Sequence, residues 1–264
     1  MDSGTPEIQA ALGRLDAITR RLRRECPWDR EQDERTIVPH TVEEAYELAD
    51  AAYRRDDAKL LDELGDVLFQ VHFLALLLEE RGAGDLAQVA EHCAEKLIRR
   101  HPHVFGEAEA ETAQQVLKNW DAIKQTEPGR ERGIFGEVPE NLPAPLYARK
   151  VQRRAATSGF DFPDVPWDTV TDSVTELQAA RSPDERFAQL GDVLFATVNV
   201  ARKLHVDPEL ALRAAADRFR SRVQSGSDLA ASEDRSWNDL APDEQAVYYA
   251  RARLTEGEGS QDDR

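Results

Sequence analysis

The chain is poor in sulfur, with two cysteines, Cys26 and Cys93, and a single methionine in 264 residues. Two cysteines without metal-type spacing make neither a disulfide framework nor a zinc site. Long apolar runs are missing as well. The greasiest stretch, Phe73-Leu74-Ala75-Leu76-Leu77-Leu78, falls far short of the roughly 20 residues a membrane span needs. The first apolar positions are already interleaved with charge, so no signal peptide is expected, no membrane partner, and a cytoplasmic location. Period-2 alternation and β-branched clusters are scarce, which argues against a sheet. Basic charge is in deficit, with 34 Lys and Arg against 51 Asp and Glu, a net −17. A duplex-binding protein needs a basic footprint to neutralise phosphates, so no nucleic-acid partner is expected. A phosphorylated small molecule is still allowed, because bound cations can reverse the local sign.

What remains is 41% apolar and rich in Leu, Ala and charged residues, the composition of an all-α globular protein. Ile8, Leu12, Leu15, Ile18 and Leu22 recur at helical spacing, predicting a helix over 7–24. A turn at Cys26-Pro27-Trp28-Asp29 and a polar connection to His40 follow. Helices are predicted over 41–54, 57–81, 84–100 and 112–126, with Thr41 capping the first of these and Glu44 closing a capping box. Gly82 and Gly84 punctuate the reversal after the long apolar helix. Proline and glycine then concentrate between Pro128 and Pro166, the mark of a connector, interrupted by a short helix near 146–156. Helical patterns resume over 168–181, 183–205, 207–224 and 241–254. The organisation read from this is a first domain at 1–127, a connector at 128–166, a second domain at 167–254, and a polar tail at 255–264 expected to be disordered.

Five acids carry the chemistry: Glu43-Glu44-x-x-Glu47, then Glu63-x-x-Asp66. Stepping about 100° per residue from Leu60, Glu63, Asp66 and Gln70 fall at about 300°, 240° and 280°, a narrow stripe flanked by Phe73, Leu74 and Val67. Glu43, Glu44 and Glu47 span an arc of about 100° and can point at one place. On pattern alone a solvated acidic face is the alternative. Two such faces packed together, however, would repel strongly without a counter-charge. A hard divalent cation such as Mg²⁺, which takes carboxylates, water and substrate phosphates, resolves the conflict.

The halves repeat. Glu63-Leu-Gly-Asp-Val-Leu-Phe-Gln returns as Gln189-Leu-Gly-Asp-Val-Leu-Phe-Ala, and Glu47-Leu returns as Glu176-Leu. An internal duplication of one helical unit follows. The acids are not kept: the second copy reads Asp172-Ser173-x-x-Glu176 and Gln189-x-x-Asp192. Five carboxylates fall to three while the apolar framework persists, so metal capacity is expected in the first half.

The quintet resembles the signature of the all-α nucleoside triphosphate pyrophosphohydrolases, and more closely the two-domain MazG branch. Cys26-Pro27-Trp28-Asp29, Arg99-Arg100-His101-Pro102-His103-Val104-Phe105 and Trp120-x-x-x-Lys124 look like motifs of that branch's N-terminal half, and Leu190 to Leu204 of its C-terminal half. The resemblance implies duplicated four-helix-type domains. It also implies Mg²⁺-dependent hydrolysis of a nucleoside triphosphate to monophosphate and pyrophosphate, house-cleaning of aberrant nucleotides, and a homodimer or higher homo-oligomer. Mn²⁺ is expected to substitute. In some two-domain members the C-terminal half is the active one; here its eroded acids place the expected activity in the N-terminal half.

On this reading Glu43, Glu44, Glu47, Glu63 and Asp66 hold the metal, and one of them, Glu44 or Glu47, can orient the attacking water. Lys96 and Arg100, at i and i+4, are the candidates for phosphate, Trp120 for stacking on the base, and Lys124 for a phosphate or sugar. Each has a plain alternative: a solvated face for the two cations, a packing anchor for Trp120. Trp28 reads as packing beside a proline turn, and the His101–His103 pair as a helix-end device. In the second half Arg218 and Arg222, with Tyr249 and Arg253, echo the same spacing. Competing readings are a di-iron carboxylate bundle, disfavoured because no Glu-x-x-His occurs; a base-specific relative such as a dUTP pyrophosphatase; and a non-catalytic nucleotide-sensing or scaffolding protein.

Overall fold

The computed structural model describes residues 6–127, 133–136 and 138–259 and divides into two compact units, Met1–Gly129 and Arg130–Arg264. Every regular element among the described residues is helical. The first unit holds α1 (Pro6–Glu25), α2 (Pro27–Glu31), α3 (Glu34–Arg54), α4 (Asp57–Glu80), α5 (Leu86–Arg100), the one-turn α6 (Pro102–Phe105) and α7 (Ala113–Thr126). The second holds α8 (Ala144–Thr157), α9 (Trp167–Ala179), α10 (Pro183–Lys203), α11 (Pro208–Ser232), a 3₁₀ turn at Trp237–Asp239 and α12 (Pro242–Gly259). No helix among the described residues is long and apolar enough to cross a membrane.

One boundary differs from the sequence reading in a way that matters. The helix predicted to start at Thr41 starts at Glu34. Asp33 caps it, its side chain accepting from the Arg35 and Thr36 backbones at 2.8 and 2.9 Å, while the Thr36 hydroxyl accepts from the Asp33 N–H at 2.8 Å. This reciprocal box satisfies the free N–H groups of the first turn. It outweighs Pro39, which sits inside the helix and withholds only one hydrogen bond there. Thr41 is therefore interior, its hydroxyl donating back to Ile37 O at 3.3 Å, and Glu44 is released from capping.

Two residues reverse the chain after α3. Arg55 adopts a left-handed φ of 58°, and the Asp56 N–H reaches back to Ala51 O at 3.1 Å. The Asp56 side chain then accepts from Lys59 N at 3.0 Å and opens α4. So short a connection lays α4 antiparallel against α3. Phe73 and Leu77 of α4 bury against Ile37 of α3, at 0%, 4% and 1% exposure, with Phe69 and Leu74 alongside. Each such side chain contributes roughly 2 kcal/mol of burial. At the far end of α4, Arg20 and Arg23 of α1 each fork onto one glutamate, Glu79 and Glu80, at 2.6–3.0 Å. The other side of α4 stays open: Leu61, Leu64, Leu68 and Val71 share a stripe and are 38–74% exposed.

In the second unit the repeated motif lies on α10, which α9 packs against as α3 packs against α4. The stretch read as a connector contains α8, which packs on α10 and α11. Gln152 of α8 donates to Phe195 O at 2.7 Å, and Arg149 pairs with Asp207. Residues 144–157 are thus part of the second unit. Helices α11 and α12 close around Ala230, Leu240 and Tyr248, joined by Leu229 and Trp237. Gly226 permits their approach, since a Cβ there would stand 3.3 Å from the Trp237 ring and from the Tyr248–Tyr249 backbone. The tail expected from residue 255 is helical through Gly259; residues 260–264 lie outside the described ones.

Candidate metal centre

The α3–α4 reversal brings the two acidic faces together. Carboxylate oxygens of Glu44, Glu63 and Asp66 all lie within 4.8 Å of one another, the one such group among the described residues. Glu63 is buried at 5% exposure, Glu44 half-buried and Asp66 exposed, so the cluster opens toward solvent on one side. The other two acids stand around it. Glu47 Oε2 is 3.5 Å from the Lys59 ammonium, which is in turn 3.6 Å from Glu63 Oε1. Glu43 is largely exposed and faces His40 Nδ1 at 3.8 Å. Of five predicted ligands, three converge, one adjoins them through a lysine, and one turns aside.

Electrostatics follow from this crowding. Burial pushes the Glu44 carboxyl above the usual carboxylate range, and Asp66, Glu47, Glu63 and Glu43 add repulsion in the same direction. The donors are all carboxylate oxygens brought close together, which is the chemistry a hard divalent cation fits. Lys59 was not singled out from the sequence. Its signal there was the i, i+4 spacing to Glu63, common on any charged helix.

Two of the predicted substrate residues, Arg100 of α5 and Trp120 of α7, meet each other. Arg100, 6% exposed, donates to both Glu127 oxygens at 2.9 and 2.6 Å, and Arg99 adds a bond at 2.8 Å. This clamp holds the Glu127 carboxyl down to about 2. The Arg100 guanidinium also lies 5.3 Å over the Trp120 ring, which meets His101 edge-on at 4.8 Å. His101 Nδ1 stands 2.7 Å from Leu97 O, ending α5 as expected of a helix-end device. Lys96 and Lys124 are half-buried. Trp120 is therefore packed between Arg100 and His101, the alternative weighed for it, and Arg100 is engaged by a carboxylate.

One other residue differs from expectation, and one is newly notable. Trp28, read as packing, is 51% exposed and meets His40 edge-on at 5.9 Å. Gln70, on the stripe one turn beyond Asp66, is 7% exposed with Oε1 lacking a hydrogen-bond partner.

The second unit has the scaffold without the cluster. Ser173, at the position of Glu44, is buried and donates to Thr169 O at 2.8 Å. Glu176 and Asp192 are exposed, and no three acids converge there among the described residues. Phe219 and Tyr249 pack ring against ring at 5.7 Å.

Residues 32–105, which run from the α3 cap through α6, match the family described as the MazG nucleotide pyrophosphohydrolase domain. The chain is 40% identical over 225 residues to a nucleoside triphosphate pyrophosphohydrolase of Escherichia coli strain K12, covering 81% of this chain and 86% of the relative. It is 37% identical over 231 residues to the nucleoside triphosphate pyrophosphohydrolase/pyrophosphatase MazG of Thermotoga maritima, covering 86% and 89%. A Mycobacterium tuberculosis nucleoside triphosphate pyrophosphohydrolase is 30% identical over 183 residues, covering 68% and 54%.

Proposed function

The chain belongs to the MazG nucleotide pyrophosphohydrolase family and is an enzyme of that class; we propose that its first unit hydrolyses nucleoside triphosphates to monophosphate and pyrophosphate with Mg²⁺, Mn²⁺ being able to substitute. The observation that carries this reading is the convergence of Glu44, Glu63 and Asp66 within 4.8 Å across the α3–α4 hairpin. These three would hold the metal, with Glu47 and Glu43 next to them. When bound, Mg²⁺ supplies charge neutralisation along the triphosphate and a more acidic attacking water. The chain's own contribution is to fix the acids on two packed helices, so that no reorganisation is needed at the moment of reaction. A carboxylate of the cluster, Glu44 or Glu47, takes the proton of the attacking water.

Lys96 of α5 and Lys124 of α7, both half-buried, would take the remaining phosphate and sugar, with Arg100 and Trp120 fixing the α5–α7 pairing. The role is removal of aberrant or excess nucleotides. The working form is a homodimer, supported by the open stripe Leu61, Leu64, Leu68 and Val71, too apolar for a solvated helix face.

Product analysis tests the proposal. Purified full-length protein is incubated with each NTP and dNTP, with Mg²⁺ or with chelator. Monophosphate and pyrophosphate formed only with metal are expected; diphosphate and orthophosphate would place the cleaved bond elsewhere, and no product from any nucleotide would overturn the reading.

A further inference from the structure

The site contains one group that a bare metal centre has no use for. Lys59 lies on the first turn of α4, and its ammonium stands 3.5 Å from Glu47 on α3 and 3.6 Å from Glu63 on α4. An ordinary i, i+4 pair on a helix surface joins two solvated partners and contributes little. This one differs twice: its i+4 partner has a side chain only 6% exposed, and the same ammonium crosses to a second helix. Lys59 thus sets a cation beside two of the acids, Glu47 and Glu63, that α3 and α4 bring together.

We propose that Lys59 is the built-in counter-cation of the acidic cluster, holding Glu47 and Glu63 until a divalent ion displaces it. The inference rests on the metal reading above. A divalent ion bound to Glu63 would sit about 2 Å from that carboxylate, and the ammonium beside the same carboxylate would then face two positive charges. Lys59 can leave: its side chain is 42% exposed on a flexible four-carbon stem. Metal binding therefore competes with the Lys59 ion pairs. The folded hairpin is kept assembled when metal is absent, and in return affinity for metal alone is lowered.

The sign of this effect separates it from a merely structural role. If Lys59 only braced the hairpin, removing it would loosen the cluster and weaken metal binding. If it competes, removing it strengthens metal binding.

The test is a Mn²⁺ titration of chelator-treated, nucleotide-free full-length protein, following free Mn²⁺ by its EPR signal. Lys59→Met and Lys59→Gln should bind Mn²⁺ about fivefold to tenfold more tightly than the unsubstituted protein, the size of one or two displaced ion pairs. Lys59→Arg, which keeps the charge, should stay near the unsubstituted affinity. Melting followed by circular dichroism in chelator should show Lys59→Met and Lys59→Gln less stable, with a larger rise on adding Mn²⁺. Equal or weaker Mn²⁺ affinity in both neutral variants overturns the inference while leaving the metal site standing. Absence of Mn²⁺ binding in every protein, or binding that Glu63→Gln does not remove, overturns the metal reading and the inference with it.

Discussion

Arg100 donates to both carboxylate oxygens of Glu127, at 2.9 and 2.6 Å, from a position 5.3 Å over the Trp120 ring. One guanidinium thus ties the C-terminal end of α5 to the end of α7 and holds the indole between them. A planar fork suits this work and an ammonium does not.

The first prediction concerns this tie. Glu127 has its folded value lowered to about 2 from 4.5, chiefly by Arg100. A lowered carboxylate stabilises the fold above its unfolded value, and the gain is lost as pH falls through the folded one. Glu127→Gln should therefore melt below the unsubstituted protein by an amount constant between pH 7 and 5. The cost is about 1–3 kcal/mol, that of a charge-assisted bond. The difference should narrow below pH 4.5 and fade toward pH 2. A gap as wide at pH 3 as at pH 7 would mean that the carboxylate charge is not what holds α5 to α7.

Glu44 gives a prediction of the opposite sign. Its folded value is raised by burial and by four acidic neighbours, so its ionisation at neutral pH costs stability that protonation would restore. Glu44→Gln removes the charge and keeps the shape. In chelator it should melt a few degrees higher, about 2–4 °C for each kcal/mol relieved. The same variant should lose the metal-induced rise in melting temperature and at least about 100-fold in turnover. A variant that is less stable in chelator would show that Glu44 is not under repulsion.

The duplication allows a matched pair. Asp66 and Asp192 occupy the same place in the repeated motif, but only Asp66 meets two further carboxylates. Asp66→Asn should abolish pyrophosphate release, whereas Asp192→Asn should leave kcat and KM within about twofold, as expected of a surface substitution away from the site. Loss of activity in Asp192→Asn would move catalysis to the second unit.

Much of this arrangement was legible in the sequence because it depends on period and spacing. The 3.6-residue repeat gave the helices, and the stripe Glu63, Asp66, Gln70 gave the face that meets α3. What escaped depends on competition between signals. Thr41 with Glu44 has the pattern of a capping box, but Asp33 with Thr36 forms one two turns earlier and a proline inside the helix did not prevent it. The clamp of Arg100 on Glu127 escaped for another reason: its two residues lie 27 apart in the chain, beyond the reach of any local pattern. Glu43 belongs to the motif, yet its side chain faces His40 at 3.8 Å, the 100° arc being wide enough to leave it outside the cluster.

The last prediction tests the open face of α4. Leu61 is 74% exposed, Leu64 51% and Leu68 38%, and they lie roughly opposite the acids when stepped at about 100° per residue. A stripe of leucines at i, i+3 and i+7 is the pattern a helix presents to another helix. If it meets a second copy, each leucine is desolvated by the partner, and a carboxylate placed there would be buried unpaired. Leu64→Glu should then shift the protein from dimer to monomer in sedimentation at micromolar concentration, weakening association by about 100-fold or more, the size of a 2–3 kcal/mol desolvation cost. Circular dichroism should be unchanged, since Leu64 lies outside the Ile37–Phe73–Leu77 core. A dimer of undiminished stability in Leu64→Glu would show that the copies meet through another surface, and this stripe would then lose its role in assembly.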